Sequence, residues 1–120
     1  MNEANVENLE KIESITAEEL QDKIEHAINL TVVNVLDKEF FDDCHIKGSI
    51  NAPLNHLQTI AKAWPKSREI IVYCAKGITS KKAYKLLKEL GFEKVLEYPG
   101  GMREWKEKSL NVVGECKVEY

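Results

Sequence analysis

Excess positive charge is the first thing this 120-residue chain lacks: 17 Lys and Arg stand against 20 Asp and Glu, for a net charge of -3. Nucleic-acid binding by broad phosphate neutralisation is therefore not expected. Long apolar runs are missing too. The longest, Ile70 to Ala75, has six residues, far short of the about 20 that a membrane-spanning helix needs, so no membrane partner is expected either. The opening Met1-Asn2-Glu3-Ala4-Asn5 has no basic residue and no apolar stretch, and no secretory signal is visible in it. Cysteine is scarce: three residues, at 44, 74 and 116, form an odd set without a C-x-x-C pair. That set argues against a disulfide framework and a zinc site, and it suits a reducing cytoplasm. His26 and His56 have no partner at metal-ligand spacing, so neither a metal nor a cofactor is expected. Internal repeats and low-complexity segments are absent.

What is present is an ordinary globular composition, 43% hydrophobic and 31% charged, in a chain long enough to bury one core without disulfide or metal staples. The charge is unevenly distributed. Residues 1–60 hold 4 basic and 12 acidic side chains, residues 61–120 hold 13 basic and 8 acidic, so the second half favours an anion.

Residues 1–11 are polar and acidic and read as a lead-in. Ile12 to Ile15 alternates like a short strand, and Thr16-Ala17-Glu18-Glu19 matches a capping box that opens a helix through about His26. Thr31 to Leu36 is rich in β-branched residues and predicts a buried strand. Asp37 to Asp43 predicts a short helical turn, and Gly48 to Pro53 a brief strand closed by proline. Leu54 to Trp64 carries apolar residues at helical spacing and stops at Pro65. Glu69 to Tyr73 is an apolar strand, Cys74 to Thr79 a short loop, and Ser80 to Leu90 an amphipathic helix ended by Gly91. Lys94 to Tyr98 repeats the strand pattern, and a last helix lies around Trp105. Strands alternating with helices predict an α/β sandwich on a mostly parallel sheet.

Chemistry in such sheets sits beyond the C-terminal ends of the strands, which is where Cys74 falls. The loop Cys74-Ala75-Lys76-Gly77-Ile78-Thr79 is short and contains a glycine, so its backbone N–H groups can wrap around the sulfur as an anion nest. A following helix N-terminus and the nearby Lys76, Lys81 and Lys82 further favour a thiolate. Two plainer readings stand beside this one. A cysteine ending a buried strand is also a small core residue, and Lys85 and Lys88 belong to the wet face of an amphipathic helix.

Val72-Tyr73-Cys74-Ala75-Lys76-Gly77-Ile78-Thr79-Ser80-Lys81-Lys82-Ala83, with Leu86 to Val95 and Gly100-Gly101-Met102-Arg103-Glu104-Trp105, resembles the catalytic half of the single-domain rhodaneses. Glu39-Phe40 and His45-Ile46-Lys47-Gly48-Ser49-Ile50-Asn51-Ala52-Pro53 resemble that family's other signature. The resemblance implies a three-layer α/β sandwich over residues 12–108, with a central, mostly parallel five-stranded sheet, helices on both faces and a tail at 109–120. It also implies a sulfurtransferase. Cys74 would take a sulfane sulfur from thiosulfate, polysulfide or a persulfide donor and pass it to a thiol or cyanide acceptor, a thioredoxin-like or sulfur-carrier protein included. Residues 75–79 would bind substrate, with Lys76 and the Thr79 hydroxyl as the side chains that touch it.

Three departures from the family pattern matter. Asn34-Val35-Leu36 stands where the family commonly has Asp-Val-Arg, Thr79 where many relatives have Arg, and Cys44 where Gly is usual before His45-Ile46. The acid and the base missing together at 34 and 36 are compatible with a folded and active protein, whereas Thr79 in place of Arg weakens the case for thiosulfate and strengthens that for a polysulfide, persulfide or protein donor. Cys44 is expected to pack at the end of the short helix, with resolution of a persulfide as its alternative role, and Cys116 to be an incidental tail thiol, with sulfur relay or oxidation as its alternatives. His45 is expected to order the loop by bonding backbone. The alternatives to an enzyme of this kind are a non-catalytic regulatory or sulfur-carrier module and, further off, a cysteine-dependent phosphatase or arsenate reductase. The last two usually grip an oxyanion with an Arg that Ala75 to Ser80 does not contain.

Overall fold

The computed structural model describes residues 11–120; the lead-in expected at 1–11 lies, apart from Lys11, outside the described residues. The first helix, α1 (Ala17–His26), starts on the capping box. Glu19 N–H donates to Thr16 Oγ1 at 3.1 Å and Thr16 N–H donates to Glu19 Oε1 at 3.0 Å, so two free donors of the first turn are satisfied by residues three apart. There follow β1 (Leu30–Asn34), α2 (Lys38–Asp43), β2 (Cys44–Ile46), β3 (Ser49–Asn51), α3 (Leu54–Ala61), β4 (Glu69–Tyr73), α4 (Thr79–Glu89), β5 (Lys94–Tyr98), α5 (Gly101–Glu107) and β6 (Val112–Gly114).

Four strands form the central sheet in the order β3-β1-β4-β5, all parallel. Alternation along β4 divides the core. Ile70, Val72 and Cys74 face α3 and α4 with Leu57, Ala83 and Leu87; Ile71 and Tyr73 face α1 and α5 with Leu20, Met102 and Trp105. A strand buried on both sides must be apolar throughout, which is why Glu69 to Tyr73 reads as an unbroken run.

The sheet differs from the five-stranded expectation at one edge. Beside β5 the fifth position is held only by an isolated bridge between Ser14 and Glu97, through Ile15 N–H to Glu97 O at 3.0 Å and Glu97 N–H to Glu13 O at 2.9 Å. Thr16 caps α1 immediately afterwards, so the chain turns into a helix before a ladder can extend.

The cysteines also correct an expectation. Cys44 and Cys116 are joined in a disulfide, although the sequence argues against one and makes Cys116 an incidental thiol. Cys44 does sit at the end of α2, fully buried. The physical reason lies in a second sheet not foreseen from the sequence, in which β2 pairs antiparallel with β6 and Cys44 sits opposite Gly114. That pairing brings the tail alongside α2. Cys116 N–H donates to Asp43 O at 3.0 Å, and the Asp43 carboxylate accepts from Lys117 N at 2.8 Å and Val118 N at 3.0 Å. These two backbone donors hold the Asp43 carboxyl below its usual range.

Candidate active site

Cys74 follows the last residue of β4 and is 2% exposed. Its Sγ accepts from Gly77 N–H at 3.3 Å and from Ser80 N–H at 3.3 Å. Ser80 is the second residue of α4, and the residue ahead of that helix, Ile78, supplies no side-chain cap. The sulfur thus takes the place of a capping oxygen on a free helical N–H, at the positive end of the helix dipole. Gly77 makes the loop possible: its φ is +89°, and a Cβ there would lie 2.7 Å from Pro99 O.

The turn after β5 holds the loop from outside. Met102 N–H donates to Cys74 O at 2.9 Å and Arg103 N–H to Ala75 O at 3.0 Å. Gly101, at φ +63°, lies so close that a Cβ would stand 2.5 Å from both carbonyl oxygens. Gly101 is therefore a fitting surface for the cysteine loop as well as part of the turn.

Of the residues that the sequence assigns to the site, Cys74 and Gly77 meet at the sulfur. Ala75 contributes its carbonyl to the turn that fixes the loop. Lys76 is exposed and Ile78 is 68% exposed, which leaves both on the rim. Thr79 lines a cavity of about 310 Å³ with Leu36, Asp37, Phe40 and Leu54. Leu36 stands where the family commonly has a cation, so the charged member of this largely apolar lining is an acid, Asp37. Lys81 donates to Gly77 O at 2.8 Å, bracing the loop. His45 does bond backbone as expected: Nδ1–H donates to Phe41 O at 2.8 Å, and the ring stacks on Phe41 at 3.7 Å between centroids. With Cys44 in the disulfide, the free cysteine is Cys74, so in this state Cys44 has no thiol with which to resolve a persulfide.

Two further residues belong to the site. Ser80 Oγ lies 3.4 Å from Cys74 Sγ and donates to Glu97 Oε2 at 2.6 Å. Glu97, on β5, is 1% exposed and also accepts from Lys81 Nζ at 3.3 Å. A lone carboxylate within a run otherwise read as a core strand was the signal available, since a buried acid needs a partner.

The family model of the rhodanese-like domain matches residues 16–108. A Bacillus subtilis protein, YrkF, described in its name as a sulfur carrier, is 30% identical over 103 residues, which are 86% of this chain and 56% of that protein. The thiosulfate sulfurtransferase GlpE of Coxiella burnetii is 28% identical over 78 residues, 65% of this chain and 73% of GlpE. The solution structure of the rhodanese-like domain of Alr3790 from Anabaena superposes with a TM-score of 0.81 at 29% identity, covering 92% of this chain and 85% of that one. The chain thus spans little more than half the length of YrkF.

Proposed function

The chain belongs to the rhodanese-like domain family, and from that premise we propose that it is a sulfurtransferase whose nucleophile is Cys74. The observation that carries this reading is the pair of backbone donors, Gly77 N and Ser80 N, each 3.3 Å from Sγ. Fixed donors around a sulfur stabilise negative charge on it without reorganising during the reaction. In the first half-reaction the Cys74 thiolate attacks the sulfane sulfur of the donor. A new S–S bond forms, the donor's own bond to that sulfur breaks, and the leaving group departs with the electron pair: sulfite from thiosulfate, a shorter polysulfide from polysulfide, a thiolate from an organic persulfide. In the second half, an acceptor thiolate attacks the outer sulfur and Cys74 leaves as thiolate.

Residues 75–79 form the substrate-binding loop in this proposal, with Thr79 and Leu36 at its mouth. A largely apolar cavity with Asp37 beside it supports an organic persulfide or a polysulfide, whose charge sits on weakly hydrated sulfur, as donor over thiosulfate with its strongly hydrated sulfonate. The acceptor is a thiol, of a small molecule or of a thioredoxin-like or sulfur-carrier protein. Similarity to YrkF supports a second reading, in which the protein is a sulfur carrier that releases its Cys74 persulfide only to a partner. A cytoplasmic setting belongs to the proposal through its thiol acceptors, although a disulfide is uncommon in a reducing compartment. Among the described residues no helix is long and apolar enough to cross a membrane.

The test is the intact mass of the protein after brief exposure to thiosulfate and, separately, to polysulfide. The expected result is a gain of one sulfur, about 32 Da, that is absent in Cys74→Ala and larger in yield with polysulfide. No gain from either donor overturns the proposal. A gain followed by slow turnover with every small thiol favours the carrier over the enzyme.

A further inference from the structure

Sulfur transfer as described gives Glu97 no task, yet Glu97 is one of the most deeply buried charged side chains among the described residues, at 1% exposure. Its surroundings are few. From α4 come Ser80 Oγ at 2.6 Å and Lys81 Nζ at 3.3 Å. From the segment ahead of α1 come the backbone of Glu13 and Ile15, bonded to the backbone of Glu97 itself. Lys81 is the charged side chain that reaches the carboxylate, and it is half exposed. Behind Ser80, 3.4 Å from its hydroxyl oxygen, stands the Cys74 sulfur.

A serine hydroxyl has one proton and two lone pairs. In this geometry the proton goes to Glu97, and what Ser80 offers to sulfur is a lone pair. That suits a thiol, whose S–H can donate. It suits a thiolate less well, since the anion then gains nothing from Ser80 Oγ beyond its two backbone donors. Such an anion also meets the Glu97 charge across a single hydroxyl group, and a like charge at this range disfavours ionisation. Lys81 offsets part of that repulsion.

We propose that Glu97 is a positioning residue that restrains Cys74 through Ser80. While its carboxylate is ionised it holds the Ser80 proton, so a sulfur anion at Cys74 is served by the two backbone N–H groups alone; with the charge at position 97 removed, the Ser80 hydroxyl can turn to the sulfur as a third donor. The bond that breaks at sulfur is S–H, its proton passing to solvent base, while Ser80 only turns its hydroxyl from carboxylate to sulfur. The effect is a site whose reactivity is set by the charge balance of Glu97 and Lys81. This inference rests on Cys74 being the reactive group of the proposed function, and it needs no sulfur donor for its test.

The experiment is the rate of alkylation of the full, oxidised chain by iodoacetamide as a function of pH, where the free cysteine is Cys74. Glu97→Gln removes the charge and leaves Ser80 only a weaker, neutral acceptor than the carboxylate, so the hydroxyl can turn to the sulfur. Its pH profile is expected to move to lower pH, with a rate at pH 7 roughly tenfold above wild type. Lys81→Met is expected to move the profile the other way, to higher pH and slower reaction. In a Ser80→Ala background the Glu97→Gln shift is expected to shrink, because the coupling runs through the hydroxyl. A site merely loosened by mutation would react faster by one factor at every pH and would not shift in opposite directions for the two charges. Superimposable profiles for wild type and Glu97→Gln, or a shift of Glu97→Gln to higher pH, overturn the proposal. Should Glu97→Gln fail to fold, Lys81→Met at its exposed position decides alone, and an unmoved profile there is equally fatal. Sulfur loading is followed by mass in parallel: its absence in wild type removes the sulfurtransferase reading, and the alkylation profiles still decide the role of Glu97.

Discussion

Asn34 Nδ2 donates to Tyr73 Oη across 3.1 Å, between residues that are register partners on β1 and β4. The same phenol oxygen accepts from Ile46 N at 3.0 Å and lies 2.8 Å from Ser49 Oγ. Since Ser49 donates to Ile46 O at 2.7 Å, the Tyr73 proton goes to Ser49 and every member of the buried network is satisfied. Asn34 Oδ1 meanwhile accepts from Leu36 N at 2.9 Å. An amide at position 34 therefore serves where the family commonly has an acid. Tyr73→Phe is expected to strand the Asn34 amide and the Ile46 N–H, at a cost of about 2 kcal/mol, read as a lower urea midpoint with an unchanged m-value. A midpoint equal to that of wild type would show that the network contributes nothing.

Gly77→Ala places a Cβ against Pro99 O and asks an L-residue to hold φ +89°. The loop must shift, and the Gly77 N–H must leave the sulfur. Stability is expected to fall by about 1–3 kcal/mol, and the rate of sulfur loading by at least tenfold, in stopped-time mass measurements at a temperature where the variant is still folded. Unchanged loading in a folded variant would mean that this donor is dispensable.

Three phenols hold their protons above the ordinary range: Tyr73, Tyr98 and Tyr120. Burial is the leading cause in each, and for Tyr98 the Glu104 carboxylate, accepting at 2.6 Å, adds to it. Unfolded tyrosines ionise near about 10. Above that value the unfolded chain binds fewer protons than the folded one, so stability falls as pH rises. Below it the contribution is complete. Urea midpoints measured from pH 8 to 11.5 are expected to drop beyond about pH 10, and less steeply in Tyr98→Phe. Parallel curves for the two proteins would contradict the assignment.

The Cys44–Cys116 bond closes a loop of 72 residues, and its reduction frees the tail from α2. Cys116→Ser is expected to cost about 2–4 kcal/mol while leaving sulfur loading at Cys74 intact, because the disulfide and the cysteine loop share no hydrogen bond among the described residues. Equal urea midpoints for oxidised wild type and Cys116→Ser would refute this.

The parts of the fold legible in the sequence are those written locally. Thr16 and Glu19 announce α1 because the capping box spans four residues, and Glu69 to Tyr73 announces β4 because both of its faces are buried. The cysteine loop is legible for the same reason: strand, glycine and helix start follow one another directly. What sequence reading missed depends on residues that only folding brings together. Glu97 reaches Ser80 across the α4–β5 connection, and nothing in Lys94 to Tyr98 says which helix will face it. β2 and β6 are three residues each, too short to show a period, and the disulfide follows from their pairing. The family resemblance supplied the loop residues, but it could not say that Lys76 would stay on the rim or that Leu36 would join a largely apolar lining.

The parallel sheet carries one more consequence, for the order in which the molecule comes into being. β1 meets β4 only after α2, β3 and α3 have been made, and none of the four sheet strands is joined to its neighbour by a hairpin. Pairings of this kind close long loops before any contact repays the lost entropy, so assembly is slow relative to a helical bundle of equal length. Cys74 emerges from synthesis ahead of Glu97 and of the Gly100-Gly101 turn. A nascent chain that has made β4 but not β5 carries the cysteine without the surface that shapes its loop, and the finished shape of that loop is among the last features of the protein to exist.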